Sequence, residues 1–340
     1  MAERIIDFIF TKTPPGKKIE IGYFGGEPLL EFAKIKTING LIKNHKEASN
    51  HPIEFQIVTN GTIFSDEIAV FLNEMNISLV ISCDGPPHVQ NINRKYSNGL
   101  PSATKVEHTI HEAVSSINVL MVNAVYTPQT YRYLPETVDY FYNRGIRNIF
   151  LNPDFSARWT EKDAMSIHKV FLELGERYFR WYCQEDPAII SFIDSKISLI
   201  LNEGCNKSDM CSMGIREFAF TPDGKIFPCE RLVFDGEKNE HCIGTIETGI
   251  DYQKFRMSSF FLKKVNPECL ECSLRAYCMN WCGCSNFFST GFYNRVGPFI
   301  CAYEKAAIKV AFNVFQELSD KFGASMITRL FKKQYQDCRI

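Results

Sequence analysis

The sequence predicts an α/β protein. A parallel sheet occupies roughly its first 155 residues, and a cysteine-rich region and a C-terminal helix follow. Two observations carry this. Apolar, β-branched strands alternate with amphipathic helices five times before Leu151. The 13 cysteines are unevenly placed, with only Cys83 and Cys183 before residue 205, nine from Cys205 to Cys284, and Cys301 and Cys338 beyond. The chain therefore has at least two regions with different chemistry.

Taken in order, Ile19–Tyr23 reads as the first strand and about Leu30 to Glu47 as a helix, with Phe32, Ile35, Ile38, Leu41 and Ile42 on its apolar face. Phe55–Val58 is the next strand. Ser65 is a fitting N-cap for the helix after it, which has Asp66 and Glu67 in its first turn. Strand Leu79–Ile81, a helix near Ser102 to Val114 and strand Asn118–Val125 come next. A helix from Leu134 to Asn143 is closed by Gly145, and strand Asn148–Leu151 follows. Strands of this composition suit a sheet buried on both faces. The pattern alone leaves both an open doubly wound sheet and a barrel possible. Residues 160–200 read as helical and aromatic-rich. From Cys205 to Cys301 helical periodicity is weak and turn residues abound, including Thr221-Pro222-Asp223-Gly224 between two short strands. Such a segment lacks the apolar pattern for its own core, and metal staples would compensate. Ala302–Leu318 reads as a helix packed through Ala306, Val310, Phe312 and Phe315.

Composition narrows the function classes. Lys plus Arg is 38 against 39 Asp plus Glu, a net charge of −1 that gives no field favouring nucleic acid. No apolar run approaches the ~18 residues that span a bilayer. No signal-peptide cleavage site follows Met1, so a cytoplasmic protein without a membrane partner is expected. A cysteine surplus in such a chain reads as metal or redox chemistry rather than a disulfide framework.

Three strand ends in the first region carry polar or glycine-rich signatures: Gly25-Gly26-Glu27-Pro28, Thr59-Asn60-Gly61 and Ser82-Cys83-Asp84-Gly85. Each alone is an ordinary strand-to-helix turn. On consecutive strands they describe one ligand pocket, since the carboxyl ends of parallel strands build such sites. Gly25-Gly26 allows close backbone approach, Glu27 can accept from an ammonium, and Ser82 and Asp84 can bind a ribose diol. The absence of a Walker lysine and of a Gly-x-Gly-x-x-Gly run points to a zwitterionic, ribose-bearing ligand rather than a phosphate.

The cysteines are more specific. Cys269-x2-Cys272-x5-Cys278-x3-Cys282 and Cys301 follow Cys205-x5-Cys211 and Cys211-x12-Gly224-x4-Cys229. These are too many thiols for one tetrahedral zinc site, whereas two cubane iron–sulfur clusters need about eight. A pair of zinc ribbons is the competing reading of the cysteines alone.

Together the two regions resemble the radical SAM enzymes that carry a C-terminal SPASM domain, over roughly Ile19 to Cys301. The resemblance implies a partial parallel (β/α)6 barrel, here without its first strand, that binds S-adenosylmethionine at Gly25, Gly26, Glu27, Pro28, Thr59, Asn60, Ser82 and Asp84. It implies two auxiliary [4Fe–4S] clusters, one on Cys205, Cys211, Cys229 and Cys282, the other on Cys269, Cys272, Cys278 and Cys301. The domains it implies are the partial barrel at 1–160, a helical connector at 161–204, the SPASM domain at 205–305 and a helical tail at 306–340.

The family's Cys-x3-Cys-x2-Cys, which holds the cluster that splits S-adenosylmethionine, belongs upstream of Gly25, yet no cysteine precedes Cys83. Met1 falls inside the family's first barrel helix. A truncated chain is therefore expected, with a third, SAM-cleaving [4Fe–4S] cluster only in the complete enzyme. The resemblance implies oxidation or cross-linking of a peptide or protein side chain by a 5′-deoxyadenosyl radical, with a flavodoxin or ferredoxin as electron donor. Peptide maturation is the first reading and anaerobic sulfatase maturation the second. A degenerate partner that binds a peptide or S-adenosylmethionine without catalysis is the third. Glu230 matches an acidic residue proposed in sulfatase-maturing relatives as a base. His88 and Arg94 resemble a family segment but read on their own as surface loop, Cys83 reads as a buried, inert thiol, and Cys183, Cys242, Cys284 and Cys338 are spare thiols, of which Cys284 could compete for a cluster or serve packing alone.

Overall fold

The computed structural model describes residues 1–206, 211–233, 239–258, 260–261, 266–278 and 282–337. Its first elements are α1 (Ala2–Lys12), β1 (Ile19–Tyr23), α2 (Phe32–Lys43), β2 (Ile53–Thr59), α3 (Asp66–Glu74), β3 (Ile77–Ser82), α4 (Pro87–Asn93), α5 (Ala103–Ser116) and β4 (Leu120–Tyr126). They continue with α6 (Leu134–Tyr142), β5 (Asn148–Pro153), α7 (Glu161–Cys183), β6 (Ile189–Ile190) and α8 (Ser191–Leu201). The cysteine-rich part contributes β7 (Ala219–Phe220), β8 (Lys225–Phe227), β9 (Gly244–Thr245), β10 (Gly249–Ile250), α9 (Tyr252–Arg256), α10 (Pro267–Leu270) and α11 (Gly283–Thr290). Helices α12 (Pro298–Phe322) and α13 (Ala324–Asp337) close the chain. Cys338 lies outside the described residues.

Six strands form one sheet in the order β1-β2-β3-β4-β5-β6. A doubly wound sheet would reverse its strand order at a switch point; this one runs in chain order throughout, which is the barrel-type winding. The sixth strand was not legible in the sequence. It lies within the stretch read there as helical, and two residues are too few to show a period of two.

The chain divides into two compact units, one of Met1–Ser82, Lys105–Leu120 and Ser212–Phe261, the other of Cys83–Thr104, Met121–Cys211 and Leu262–Ile340. In the first, β1 pairs parallel with β2 and β2 with β3. Five consecutive residues of β3 are buried, as a strand covered on both faces requires, whereas β1 and β2 mix buried with accessible positions. Ser65 caps α3 by accepting from the Ile68 N–H, as its position predicts. The turn Thr221–Gly224 closes through Gly224 N–H to Thr221 O at 2.9 Å and joins β7 to β8, part of a four-stranded antiparallel sheet in the order β10-β9-β8-β7. Helix α1 buries Ile6 and Phe10, stacks Phe10 on His45 and meets this small sheet through Phe8–Phe220 and an Arg4–Glu247 pair at 2.8 Å.

In the second unit β4 pairs parallel with β5 and β5 with β6. Helix α7 starts in a capping box between Thr160 and Asp163 and lies along α12. A Cβ at Gly175 would stand 2.9 Å from Val310 Cγ1, so glycine is what allows these two helices to come this close. Helix α12 starts four residues earlier than the periodicity predicts, with Pro298 at its first position. That start puts Cys301 on its first helical turn. Among the described residues no helix is long and apolar enough to cross a membrane.

Candidate functional site

The strand-end signatures of the first unit are held by hydrogen bonds that converge on Glu27. Its Oε1 accepts from the Leu29 N–H at 3.0 Å and the Thr59 hydroxyl at 2.8 Å, and its Oε2 accepts from the Asn60 N–H at 2.6 Å. One carboxylate thus caps the short 3-10 turn at Pro28–Glu31 and ties the end of β1 to the end of β2. A carboxylate has about four acceptor sites; three are taken, which leaves about one for a ligand ammonium. Thr59 is buried and accepts from the Gly61 N–H, while the Asn60 side chain accepts from both the N–H and the hydroxyl of Thr62. Gly25 and Gly26 hold φ of +94° and +47°, a region L side chains rarely enter, and open space lies where their Cβ atoms would stand. Ser82 is half-buried at the last position of β3.

Asp84 belongs to the second unit. Its Oδ1 accepts from the Val125 N–H at 2.9 Å and stands 2.8 Å from Arg94 Nε, in ion-pair rather than hydrogen-bond alignment. Its own N–H donates to Gln90 Oε1 at 2.7 Å. Burial pushes the Asp84 carboxyl up, and the Arg94 charge and the Val125 N–H pull it back. Arg94 therefore does more than the surface loop read from sequence: it compensates a buried carboxylate ten residues away. An arginine shortly after a strand-end aspartate was the available signal.

Four of the eight assigned thiols surround one space. Cys269, Cys272, Cys278 and Cys301 line a cavity of about 60 Å³ in the second unit, together with Glu304 and Lys305. The Asn266 side chain accepts from the Val296 N–H at 2.9 Å and donates to the Val296 carbonyl at 3.2 Å, which aligns the loop before Cys269 with the start of α12 before Cys301. Burial pushes the Cys301 thiol up, Lys305 opposes it, and the neighbouring Cys269 and Cys272 add to it. Beside the cavity, the buried Lys196 of α8 pairs with Glu304 at 2.7 Å.

The other thiols fall in both units. Cys205 anchors its N–H on the Ala276 carbonyl at 2.7 Å. Cys282 is held well below the ordinary thiol range by hydrogen bonds from Cys211 first, then from Cys284 and Ser285, against the effect of burial. Cys229 belongs to the first unit, buried after β8, and its thiol donates to Glu230 Oε2 at 3.2 Å. Glu217, Cys229 and Glu230 are the one group of three ligating side chains, among the described residues, whose atoms lie within 4.8 Å of one another. The sequence pointed to Cys229 and Glu230 and missed Glu217, which no motif marks.

The cavity thiols can be tested against what they would hold. Sulfurs at about 2.3 Å from one tetrahedral ion stand about 3.8 Å apart. No three of the four are within 4.8 Å of one another, and the space exceeds the ~10–15 Å³ that one water needs. The donor set and its spread fit a polynuclear iron–sulfur cluster better than a zinc ion.

No protein-family profile matches the chain. The radical SAM cyclopropyl synthase TigE of Paramaledivibacter caminithermalis is 24% identical over 290 residues, which are 82% of this chain and 57% of that enzyme. A cysteine-type anaerobic sulfatase-maturating enzyme of Clostridium perfringens is 24% identical over 274 residues, 76% of this chain and 72% of that one. These relatives by sequence are radical SAM enzymes. The solved structure of the maturase anSMEcpe with bound AdoMet shares the fold, with a TM-score of 0.77 at 19% identity over 96% of this chain and 88% of that one. Streptococcus suis SuiB bound to its precursor peptide SuiA aligns at a TM-score of 0.55 and 18% identity, covering 88% of this chain and 68% of that one.

Proposed function

We propose that the chain acts in radical modification of a peptide or protein side chain, with S-adenosylmethionine at the strand ends and two auxiliary [4Fe–4S] clusters in the cysteine-rich region. The gathering of Cys269, Cys272, Cys278 and Cys301 around one cavity carries this reading. When bound, S-adenosylmethionine and iron–sulfur clusters supply radical generation and one-electron transfer. The SAM-cleaving cluster has no fit among the barrel residues, because no cysteine precedes Cys83; no residue of this chain is assigned to it.

The chain's own residues have separable tasks. Gly25 and Gly26 present backbone to the ligand, and Glu27 offers its remaining acceptor site to the methionine ammonium. Thr59 and Asn60 hold that carboxylate in place. Ser82 and Asp84 take the ribose hydroxyls, with Arg94 and the Val125 N–H opposing the upward push of burial on Asp84 and orienting it. Cys205, Cys211, Cys229 and Cys282 would hold the first auxiliary cluster and the cavity quartet the second. Cys229, whose thiol lies 3.2 Å from Glu230 Oε2, would be a ligand of that first cluster. Glu230 would be the base for a substrate proton.

The peptide substrate is supported by the peptide-bound relatives, anSMEcpe with its Kp18Cys peptide and SuiB with SuiA. Sulfatase maturation is the second reading, supported by the larger share of the relative's own length that is matched, 72% for the maturating enzyme against 57% for TigE, and by the acidic residue after Cys229. A flavodoxin or ferredoxin as electron donor and a reducing cytoplasm suit a cysteine surplus read as iron–sulfur ligands. Equilibrium dialysis of the anaerobically reconstituted chain against S-adenosylmethionine tests the strand-end assignment. Saturable binding lost in Glu27→Ala and in Asp84→Ala is expected. Binding unchanged in both variants would remove the assignment.

A further inference from the structure

One cysteine outside the eight assigned thiols stands beside one of them. Cys282 is the N-cap of α11, in an extended conformation at φ −65° and ψ 103°, with Cys284 and Ser285 at the second and third helical positions. Inside a helix, residues two apart point away from each other. An extended N-cap instead folds its side chain back over the second and third positions. Cys282 Sγ accordingly lies 3.4 Å from Cys284 Sγ and 3.1 Å from Ser285 Oγ. Cys284 is buried, and Cys211 is within hydrogen-bond reach of Cys282 on the same unit.

The 3.4 Å separation is far longer than a disulfide bond of about 2.05 Å. It is close to the ~3.8 Å that two sulfurs span on one tetrahedral metal. Either sulfur can therefore reach a metal placed for the other with little movement. A buried cysteine that only filled space would not need its sulfur turned to a neighbouring thiol.

We propose that Cys284 is an alternative ligand for the iron that Cys282 would hold, so that either sulfur of Cys282-Gly283-Cys284 completes the first auxiliary site. The inference rests on the reading of Cys282 as a cluster ligand. In the exchange an iron–sulfur bond to Cys284 forms as the one to Cys282 breaks. The thiol proton of Cys284 passes to Cys282, and no electron moves.

The test uses the full chain and its Cys282→Ala, Cys284→Ala and double variants, each reconstituted anaerobically with iron and sulfide. Iron and labile sulfide are counted, and EPR spectra are recorded after reduction. The second cluster's signal reports that a variant has folded. Both single variants are expected to keep the parent's iron content, with an altered first-cluster spectrum in Cys282→Ala, and the double variant to lose about half of it. If Cys282→Ala already loses as much iron as the double variant, Cys284 cannot substitute and the inference fails. Iron loss in both single variants overturns it equally, since neither sulfur would then replace the other. A parent chain with no cluster signal overturns the cluster reading and this inference with it.

Discussion

The strand ends and the cysteine-rich region meet the demand for internal satisfaction in opposite ways. At the strand ends, Glu27 accepts from three of the chain's own donors and Asp84 is matched by Arg94 and a backbone N–H. These polar groups find their partners within the chain. The cysteine-rich region has two- and three-residue strands, brief helical turns and thiols spread around a cavity. On the proposed reading its order would depend on what the thiols hold. The first region is organised by its own hydrogen bonds, and the second, on the proposed reading, would be organised by its cofactor.

The sharpest way to break this contrast is to remove iron. Chelation should lower hydrogen-exchange protection of amides around Cys269–Cys278 by more than about tenfold and leave β2 and β3 unchanged. Equal loss in both regions would erase the distinction.

A smaller but large effect is expected at Lys196→Met. Its buried partner Glu304 would lose that ion pair, at a cost of about 3–5 kcal/mol, read as a lower denaturant midpoint. Lys196 and Glu304 lie on helices 108 positions apart in sequence. Nothing in the local pattern of either helix announces the pair, and this is why sequence reading did not find it.

Glu27→Ala leaves the Thr59 hydroxyl and the Asn60 N–H without their acceptor. A loss of about 1–3 kcal/mol is expected, together with lost S-adenosylmethionine binding. Glu27→Gln should recover most of the stability and little of the binding, because the amide oxygen still accepts while the charge facing the ammonium is gone.

The smallest effect is expected at Arg94→Met. Burial already raises the Asp84 carboxyl, and without Arg94 it rises further. A group raised on folding contributes stability at low pH that is lost as pH climbs through its folded value. The variant's deficit, about 1–2 kcal/mol at neutral pH for a partly exposed partner, should therefore shrink as pH is lowered toward the ordinary aspartate range. Denaturant midpoints across that span check the sign.

Much of this was legible in the sequence because the signals are local. Strands, the Ser65 cap, the Thr221–Gly224 turn and the strand-end signatures each sit within a few consecutive residues. The spacing from Cys269 to Cys278 also marked three of the thiols that the fold gathers at one cavity. What was not legible is set by distance or brevity. Strand β6 has two residues, the Asn266–Val296 latch joins positions 30 apart, and the shared environment of Cys282 and Cys284 arises only from an N-cap geometry.

The most direct test is the iron and acid-labile sulfide content of the anaerobically reconstituted chain beside a variant with Cys269 and Cys272 both changed to Ala. About eight irons and eight sulfides per chain are predicted for the parent, and about four of each for the variant. Zinc without labile sulfide in the parent, or equal iron in both proteins, would contradict the account.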